Sequence, residues 1–398
     1  MKKLIAVAMV AAFVATGAFA VSFSGDVQMS ISIMEGSTHD DVDEIYAGGF
    51  MNRARLAVEA ANEDETFGAY FRIQAGMRWG YAPDFFAHVA YAWWQPAPMF
   101  WMAIGFDADS KFGRRGVTGW NFYRAAGDIN IANHGNAWGG GYYFGGSDGD
   151  DDDNGIDIPG GRSFNDSFWG GFSDAGLMLS ITPIPELSIN VGLPFIQLGQ
   201  AGWGPLGEFS AELGDVFSSI AVQGTFDFGA GSVALSYRGN TQDYNPGSIW
   251  AHLNLGMIDN LDLDIGLGFH LRGDNHAEDT RIGIGVGAEF QVNEDFGLRA
   301  RAQFSLDTAD YPLNGLLFDV LPFFSLSDNV TIFCSVGIAL CMFDDDTAFN
   351  FHLNPWVEIG GDWAPRFFVG FRLWSVNDPW EADDHIRFSV PIGLVVNF

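Results

Sequence analysis

The C-terminal segment His385–Phe398 (HIRFSVPIGLVVNF) is the feature that most constrains the fold, because its side chains alternate with period two up to a terminal aromatic residue. Successive side chains of a strand point to opposite faces. One face is apolar throughout: Ile386, Phe388, Val390, Ile392, Leu394, Val396 and Phe398. The other face carries Arg387 and Ser389. This pattern predicts an amphipathic strand, which a sandwich could also contain.

The same alternation recurs along the chain. RIGIGVGAEFQV and FGLRARAQFSL show it most clearly, with Ile284, Val286 and Phe304 on the apolar face and Arg299 and Arg301 on the polar one. Eighteen such segments follow one another, or sixteen if Leu177–Thr182 and Leu187–Leu193 are not strands. Short turns alternate strictly with longer acidic connections, which is typical of a membrane-spanning barrel. The sequence therefore predicts an all-β fold, a transmembrane antiparallel β-barrel of about eighteen strands.

Three prolines bear on the pairing of the predicted strands, and two cysteines on whether the chain forms a disulfide. Pro322, Pro355 and Pro391 fall within predicted strands, and because proline cannot donate to a ladder, we expect strand ends or irregularities there. Cys334 and Cys341 lie on one predicted strand, too far apart for a disulfide.

The N-terminal segment 1–20 has the layout of a cleaved signal peptide: Lys2 and Lys3, an apolar run, and small residues at Ala18 and Ala20. Cleavage is expected before Val21, which leaves a single barrel domain over 21–398. Beyond residue 20 there is no apolar run of about eighteen residues, so the sequence predicts no transmembrane helix.

The charge balance narrows the function. The net charge of −31 makes nucleic acid a poor partner, because phosphate recognition requires a basic surface. The glycines Gly283, Gly285 and Gly287 alternate within a strand and do not form a nucleotide-binding loop. Three histidines, His88, His252 and His270, are predicted to face the lumen from separate strands. They suggest neither a metal site nor a catalytic triad, and the sequence predicts no enzyme.

The arginines are predicted to face the interior of the barrel. Arg55 and Arg72 are about equally far in sequence from the turn ANEDE. Arg372 and Arg387 are likewise about equally far from the loop between them. Each pair is therefore expected to lie at the same height on adjacent strands. Across the seam between the first and last strands these groups would form one basic wall. Its predicted members, with two further inward arginines, are Arg53, Arg55, Arg72, Arg372, Arg387, Arg299 and Arg301. They could line a pore or only brace the wall through salt bridges.

A long acidic connection, 107–174, follows the fifth predicted strand. A loop of this length is expected to be folded and functional, either inside the barrel as a constriction or on the extracellular side. Its acidic residues are Asp148, Asp150, Asp151, Asp152 and Asp153. Asp150, Asp152 and Asn154 also match the start of a calcium-binding loop, but Gly161 occupies the position of the bidentate Glu. Calcium is therefore a weak alternative, and no other cofactor is predicted.

The signal peptide, the alternating strands, the segments RARLAVEA and YFRIQA, the long loop and Phe398 together resemble the bacterial general porins. The resemblance implies an outer-membrane location, contact with lipid, a homotrimer, and a C-terminal strand read by the barrel assembly machinery. It also implies passive diffusion of small hydrophilic solutes or ions between an arginine cluster and an acidic loop. The acidic composition favours cation preference.

Two alternatives to a general diffusion channel remain open. One is a substrate-selective channel for sugars or organic acids, with loop aromatics such as Trp138, Tyr142 and Tyr143 as a sugar path. The other is a surface adhesin or structural barrel.

Overall fold

The computed structural model describes residues 19–38, 48–76, 84–106, 175–196, 216–217, 220–239, 247–258, 260–271, 280–307, 313–343, 346–360, 365–376 and 385–398. Most of the predicted signal peptide and all of the long loop 107–174 lie outside these ranges. None of the helices in the described residues is long and apolar enough to cross a membrane.

The described chain is almost entirely β-structure. Its strands, in chain order, are β1 Phe19–Ser37, β2 Gly48–Asn62, β3 Phe67–Gly76, β4 Asp84–Ala97, β5 Phe100–Phe106, β6 Ala175–Ile184, β7 Leu187–Ile196, β8 Ala221–Asp227, β9 Gly231–Arg238, β10 Gly247–Ile258, β11 Leu261–Leu271, β12 Thr280–Gln291, β13 Phe296–Asp307, β14 Leu313–Ser327, β15 Val330–Phe343, β16 Asp346–Ile359, β17 Arg366–Gly370, β18 Arg372–Val376 and β19 His385–Asn397. Leu177–Thr182 and Leu187–Leu193 lie within β6 and β7, so the alternative of sixteen strands is wrong.

The described strands pair antiparallel in sequence order, except that β17 and β18 do not pair with each other, and β19 pairs with β1 to close the sheet. β17 and β18 both pair with β16 on one side and β19 on the other in a single register, so they are two halves of one interrupted strand. The described strands therefore form a closed barrel of eighteen strands, as predicted.

Pro322, Pro355 and Pro391 each lie beside a gap in a strand ladder, as expected. The break between β17 and β18 falls at Phe371, whose partner on β16 is Pro355; Phe371 still donates its N–H to the Pro355 carbonyl at 2.9 Å. On the other side, the pairing with β19 skips Pro391, and the ladder between β14 and β15 skips Pro322. Each proline lacks the N–H that a regular ladder position needs.

The connections depart from the predicted strict alternation at one place. β15 ends at Phe343 and β16 begins at Asp346, so only two residues join them on the end where long connections were expected. The predicted alternation of short turns and long acidic loops is wrong there. At the other end the turns are tight: between β2 and β3 the Asn62 Oδ1 accepts hydrogen bonds from the N–H groups of Thr66 at 2.8 Å and Phe67 at 2.9 Å.

The outer surface of the barrel is apolar. Large side chains on the predicted outward face are exposed, among them Ile284, Val286, Phe304, Leu394 and Phe398. The inward residues of the same strands, such as Arg299 and Arg301, are buried. An apolar exterior on a hydrogen-bonded, closed sheet is the arrangement that a bilayer requires, because lipid cannot satisfy backbone groups.

Closure depends on the last residue. Gly25 donates its N–H to the Phe398 carbonyl at 2.8 Å, and Phe398 donates its N–H to the Gly25 carbonyl at 3.0 Å. The final residue therefore adds a reciprocal pair of hydrogen bonds at the seam between β1 and β19.

Deletion of Phe398 should impair closure, because it removes both hydrogen bonds and the terminal aromatic ring. We expect slower folding into lipid vesicles and a native state destabilised by about 1–3 kcal/mol. The measurement is the fraction of folded barrel on unheated gels after dilution from urea. The Phe398→Trp variant, which keeps the backbone and an aromatic ring, is the control; equal folding by the deletion variant would contradict the role of this residue.

Candidate functional site

The inner wall from β10 to β16 carries a continuous group of polar side chains, which we call the polar belt: His252, Asn254, Asp262, Asp264, Glu289, Arg299, Arg301, Asp319, Ser335, His352 and Asn354. The strand register brings them together, because residues that pair across neighbouring strands point to the same face. Most of these side chains are buried although they lie on the inner wall, since they pack against one another along the sheet.

The centre of the polar belt is a row across four strands. Arg301 pairs with Asp319, Asp319 with Gly337, and Gly337 with His352. Arg301 Nε donates to Asp319 Oδ2 at 3.0 Å, and both side chains are almost fully buried, with 3% and 1% of their area exposed. The charge of Arg301 is thus neutralised within the wall.

Gly337 allows this row to form. A Cβ at this position would overlap Asp319 Oδ1 and the His352 ring. With glycine there, Asp319 and His352 meet across β15, and His352 Nε2 lies 3.6 Å from Asp319 Oδ1. The glycine therefore provides the space in which an acid and an imidazole approach each other.

Ser335, His352 and Asp319 have the composition of a catalytic triad but not its geometry. Ser335 Oγ lies 2.8 Å from His352 Nε2, the same nitrogen that faces Asp319. A triad uses the two ring nitrogens separately, one for the nucleophile and one for the carboxylate. All three residues are also buried in the wall, so this cluster is structural.

The other ionic contacts of the polar belt are also internal pairs. Arg299 binds Glu289 through two hydrogen bonds, Nε to Oε2 at 2.9 Å and Nη2 to Oε1 at 3.2 Å. The guanidinium of Arg299 lies over the ring of Phe323, 5.2 Å from its centroid. On β10 and β11, Asn254 Nδ2 donates to Asp262 at 2.7 Å and to Asp264 at 2.9 Å.

The predicted basic wall is only partly assembled. Arg55 pairs with Gln74 rather than with Arg72, which pairs with Ala57, so the two arginines are diagonal neighbours and not level. Arg55 instead donates a hydrogen bond to Gln74 Oε1, and in the β1 register it lies opposite Asp26. These arginines are embedded among polar partners on the inner face.

The predicted junction of the two arginine groups across the seam is wrong. Arg387 pairs with Trp374, not with Arg372, and on the other side with Ser37 of β1. Arg53 pairs with Gln28, whose partner on β19 is Val395, eight residues from Arg387. This separation corresponds to about 26 Å along a strand, so Arg53 and Arg387 cannot belong to one compact wall.

Two apolar groups on the inner wall were missed by the sequence reasoning. The first, near the short turns of β14–β19, comprises Leu321, Phe333, Trp356, Phe368 and Val395, with Phe333 stacked on Trp356 at 4.8 Å between ring centroids. The second, which we call the aromatic patch, comprises Tyr70, Tyr91, Trp93 and Trp101 on β3–β5. Both follow the inward parity of their strands, and this parity was the signal that could have revealed them.

The two main features of the inner wall face each other. β4 at the centre of the aromatic patch and β13 at the centre of the polar belt are nine positions apart in a ring of eighteen strands. Strands so related are diametrically opposite. The described lumen therefore has an aromatic side and, opposite it, a charged and polar side on which Arg299 and Arg301 are paired with carboxylates.

Several predicted site residues cannot be placed. The acidic loop residues Asp148 and Asp150–Asp153, and with them the calcium alternative, lie outside the described residues. For Arg53, Arg372 and Arg387 the backbone register is defined but not the side chain. Within the described part of the chain, no group of three or more His, Cys, Asp or Glu residues could hold a metal ion.

Solved structures with this architecture exist. OpdQ of Pseudomonas aeruginosa superposes with a TM-score of 0.55 at 8% identity, covering 96% of this chain and 98% of that one. An anion-selective porin from Comamonas acidovorans gives a TM-score of 0.51 at 10% identity, covering 96% and 100%. The chain has the fold of an outer-membrane porin. With its apolar exterior, this porin-like barrel is a protein of the bacterial outer membrane. No family model matches the chain, and no curated protein does.

The Gly337→Ala substitution should disrupt the central row, because the added methyl group overlaps both Asp319 and His352. We expect a loss of about 1–3 kcal/mol in the free energy of unfolding, as for other overpacked interiors. The control is Gly224→Ala, where a Cβ would have nothing within 4 Å. Urea unfolding in vesicles, followed by tryptophan fluorescence, compares the two; equal stabilities would contradict the close contact.

Asp319→Ala should destabilise the barrel more strongly, by about 3–5 kcal/mol, because it leaves the Arg301 charge buried without its carboxylate. A second substitution, Arg301→Met, should recover part of this loss, since it removes the uncompensated charge. The same unfolding measurement applies. If the double variant were as unstable as the sum of the single variants, the two side chains would not be coupled.

Proposed function

We propose that this protein is a porin-like channel for the passive diffusion of small hydrophilic solutes and ions across the outer membrane. The observation that supports this most directly is the closed barrel of eighteen strands with an apolar exterior and a polar inner wall. The interior of so wide a barrel exceeds what the wall side chains can fill, so water has access to it.

The sign of the selectivity follows from where the charges lie. Twelve of the 50 acidic residues and ten of the 19 basic residues fall within the strand ranges, so the strands are close to neutral. Most of the net charge of −31 therefore belongs to the connections at the two ends of the barrel. Acidic rims concentrate cations at a pore entrance, which favours cation preference.

One protein of similar structure is described as anion-selective. The preference of this chain for cations or anions is therefore derived from its own charges. In the described polar belt, Arg299 and Arg301 are bound by Glu289 and Asp319. A paired arginine attracts anions less than a free one. The inner wall therefore opposes the acidic rims only weakly. The homotrimer and recognition by the assembly machinery stay predictions.

Reconstitution in a planar bilayer tests the channel and its selectivity. We expect discrete conductance steps and a reversal potential of the sign for cation preference in a salt gradient. The preference should decline as ionic strength rises, because the screening length falls from about 10 Å at 0.1 M to about 3 Å at 1 M. Absence of conductance would overturn the channel, and anion preference would overturn the role of the acidic rims.

Deletion of residues 146–157 tests whether the acidic loop constricts the lumen. If it does, single-channel conductance should increase, because the deletion opens the narrowest cross-section. A matched control changes Asp150, Asp151, Asp152 and Asp153 to Asn at constant length, which should reduce cation preference without enlarging the pore. Unchanged conductance after deletion would place the loop outside the conducting path and favour a surface-binding role.

A further inference from the structure

A cavity of about 520 Å³ opens into the lumen in front of the aromatic patch. It lies near the end with the short turns, because the strands that form it turn at Asn62–Phe67 and Ala97–Phe100. A single row crosses its wall: Ser22 pairs with Glu59, Glu59 with Tyr70, and Tyr70 with Tyr91. The cavity is therefore built on regular strands rather than on a loop.

Its aromatic side chains are held in place. Trp93 lies opposite Gly68, and a Cβ at Gly68 would lie 2.8 Å from the indole, so the ring packs flat over the glycine. Tyr91 stacks on Tyr70 at 5.5 Å between ring centroids and makes a T-shaped contact with Trp101 at 6.3 Å. The rings of the cavity are thus packed against one another and against the backbone.

The described side chains that line the cavity carry charge of one sign only. Glu59 and Glu65 contribute to its lining, and the described lining residues include no Lys, Arg or His. Aromatic faces carry negative electrostatic potential and attract cations, most strongly when the cation is weakly hydrated. A hard metal ion would need several oxygen ligands close together, whereas Glu59 and Glu65 are only two carboxylates, and the described residues contain no group of three acidic or other metal-binding side chains that could hold a metal ion. Carboxylates beside aromatic faces therefore match an organic ammonium ion.

We propose that this cavity binds small organic cations, of the alkylammonium or quaternary ammonium class, on the short-turn side of the lumen. The inference deepens the proposed channel function by naming a solute class, and it rests on that function only for its role in transport. Binding itself depends on the cavity alone. Glu59 and Glu65 supply the ionic attraction, and Trp93 and Tyr91 supply the ring faces, with the buried Trp101 packed behind them.

The first experiment titrates choline into the purified, folded barrel and follows tryptophan fluorescence at constant ionic strength. The control ligand is the uncharged carbon isostere of choline, in which a tert-butyl group replaces trimethylammonium. Saturable binding of choline with at least about tenfold weaker binding of the isostere supports the proposal. Equal binding of both ligands, or tighter binding of glucose than of choline, overturns it.

Two variants assign the site. Glu59→Gln keeps the shape of the side chain and should weaken choline binding about tenfold, and Trp93→Leu should weaken it by a similar factor. The matched control is Glu294→Gln, an exposed carboxylate in the turn between β12 and β13. If Glu294→Gln weakened binding as much as Glu59→Gln, the effect would come from general charge and the proposal would fail.

Processing bears on the same experiment, because Ala20 and Val21 also line the cavity. Predicted cleavage before Val21 would bring the α-ammonium of the processed chain to its rim, so the processed chain is the form to measure. A cavity already occupied by this ammonium group would bind no choline, and that outcome also overturns the proposal.

Bilayer recordings separate the two proposals. Choline added on the short-turn side should produce brief current blocks at lower concentration than choline added on the opposite side, and Glu59→Gln should shorten them. Normal conductance without such blocks or binding would refute the cation site and leave the channel intact. Choline binding by a barrel that does not conduct would refute the channel and leave the site intact.

Discussion

The backbone hydrogen bonds between the first and last strands are the interaction on which the rest of the structure depends. In lipid an unpaired edge would leave a row of N–H and C=O groups without partners, at several kcal/mol each. Pairing of β1 with β19, completed by Gly25 and Phe398, removes that edge. Once the sheet is closed, the period of two fixes the rest: apolar residues meet lipid, and their neighbours form the inner wall.

The inner wall, unlike the apolar outer surface, contains buried polar and charged side chains that need partners. Its side chains are too short to fill the barrel, yet many are buried by their neighbours along the sheet. Buried charges are tolerated only when they are paired. The polar belt meets this requirement through Arg301 with Asp319 and Arg299 with Glu289, while the opposite side uses aromatic rings. Arg299 and Arg301 are therefore engaged in the wall itself.

Sequence reasoning predicted the fold but not the heights of residues around the barrel. Alternation indicated even β6 and β7, which the sequence analysis had left open, because lipid on one face imposes the pattern on every strand. The prediction that Arg55 and Arg72 lie at the same height was wrong by two residues. The turn extends to Thr66, and this brings Gln74 opposite Arg55. The seam register could not be inferred, because it depends on the stagger accumulated over all strands. Tyr91, Trp93 and Trp101 were missed because the inward parity of β4 and β5 was not followed to their aromatic residues, and the predicted aromatic path was placed in the long loop.

The interruption at Phe371 makes one part of the wall different in its mechanical behaviour. Pro355 on β16 and Pro391 on β19 lie on either side of it. The ladders to both strands therefore have fewer hydrogen bonds at the same height. The backbone hydrogen bonds between strands resist changes in the cross-section of a barrel. Deformation concentrates where such bonds are missing. The interrupted strand formed by β17 and β18 is therefore the part of the wall that deforms most easily, and it lies next to β19, the strand that closes the barrel. Small changes in lumen width would be absorbed there as local flexing, next to the β16 end of the polar belt.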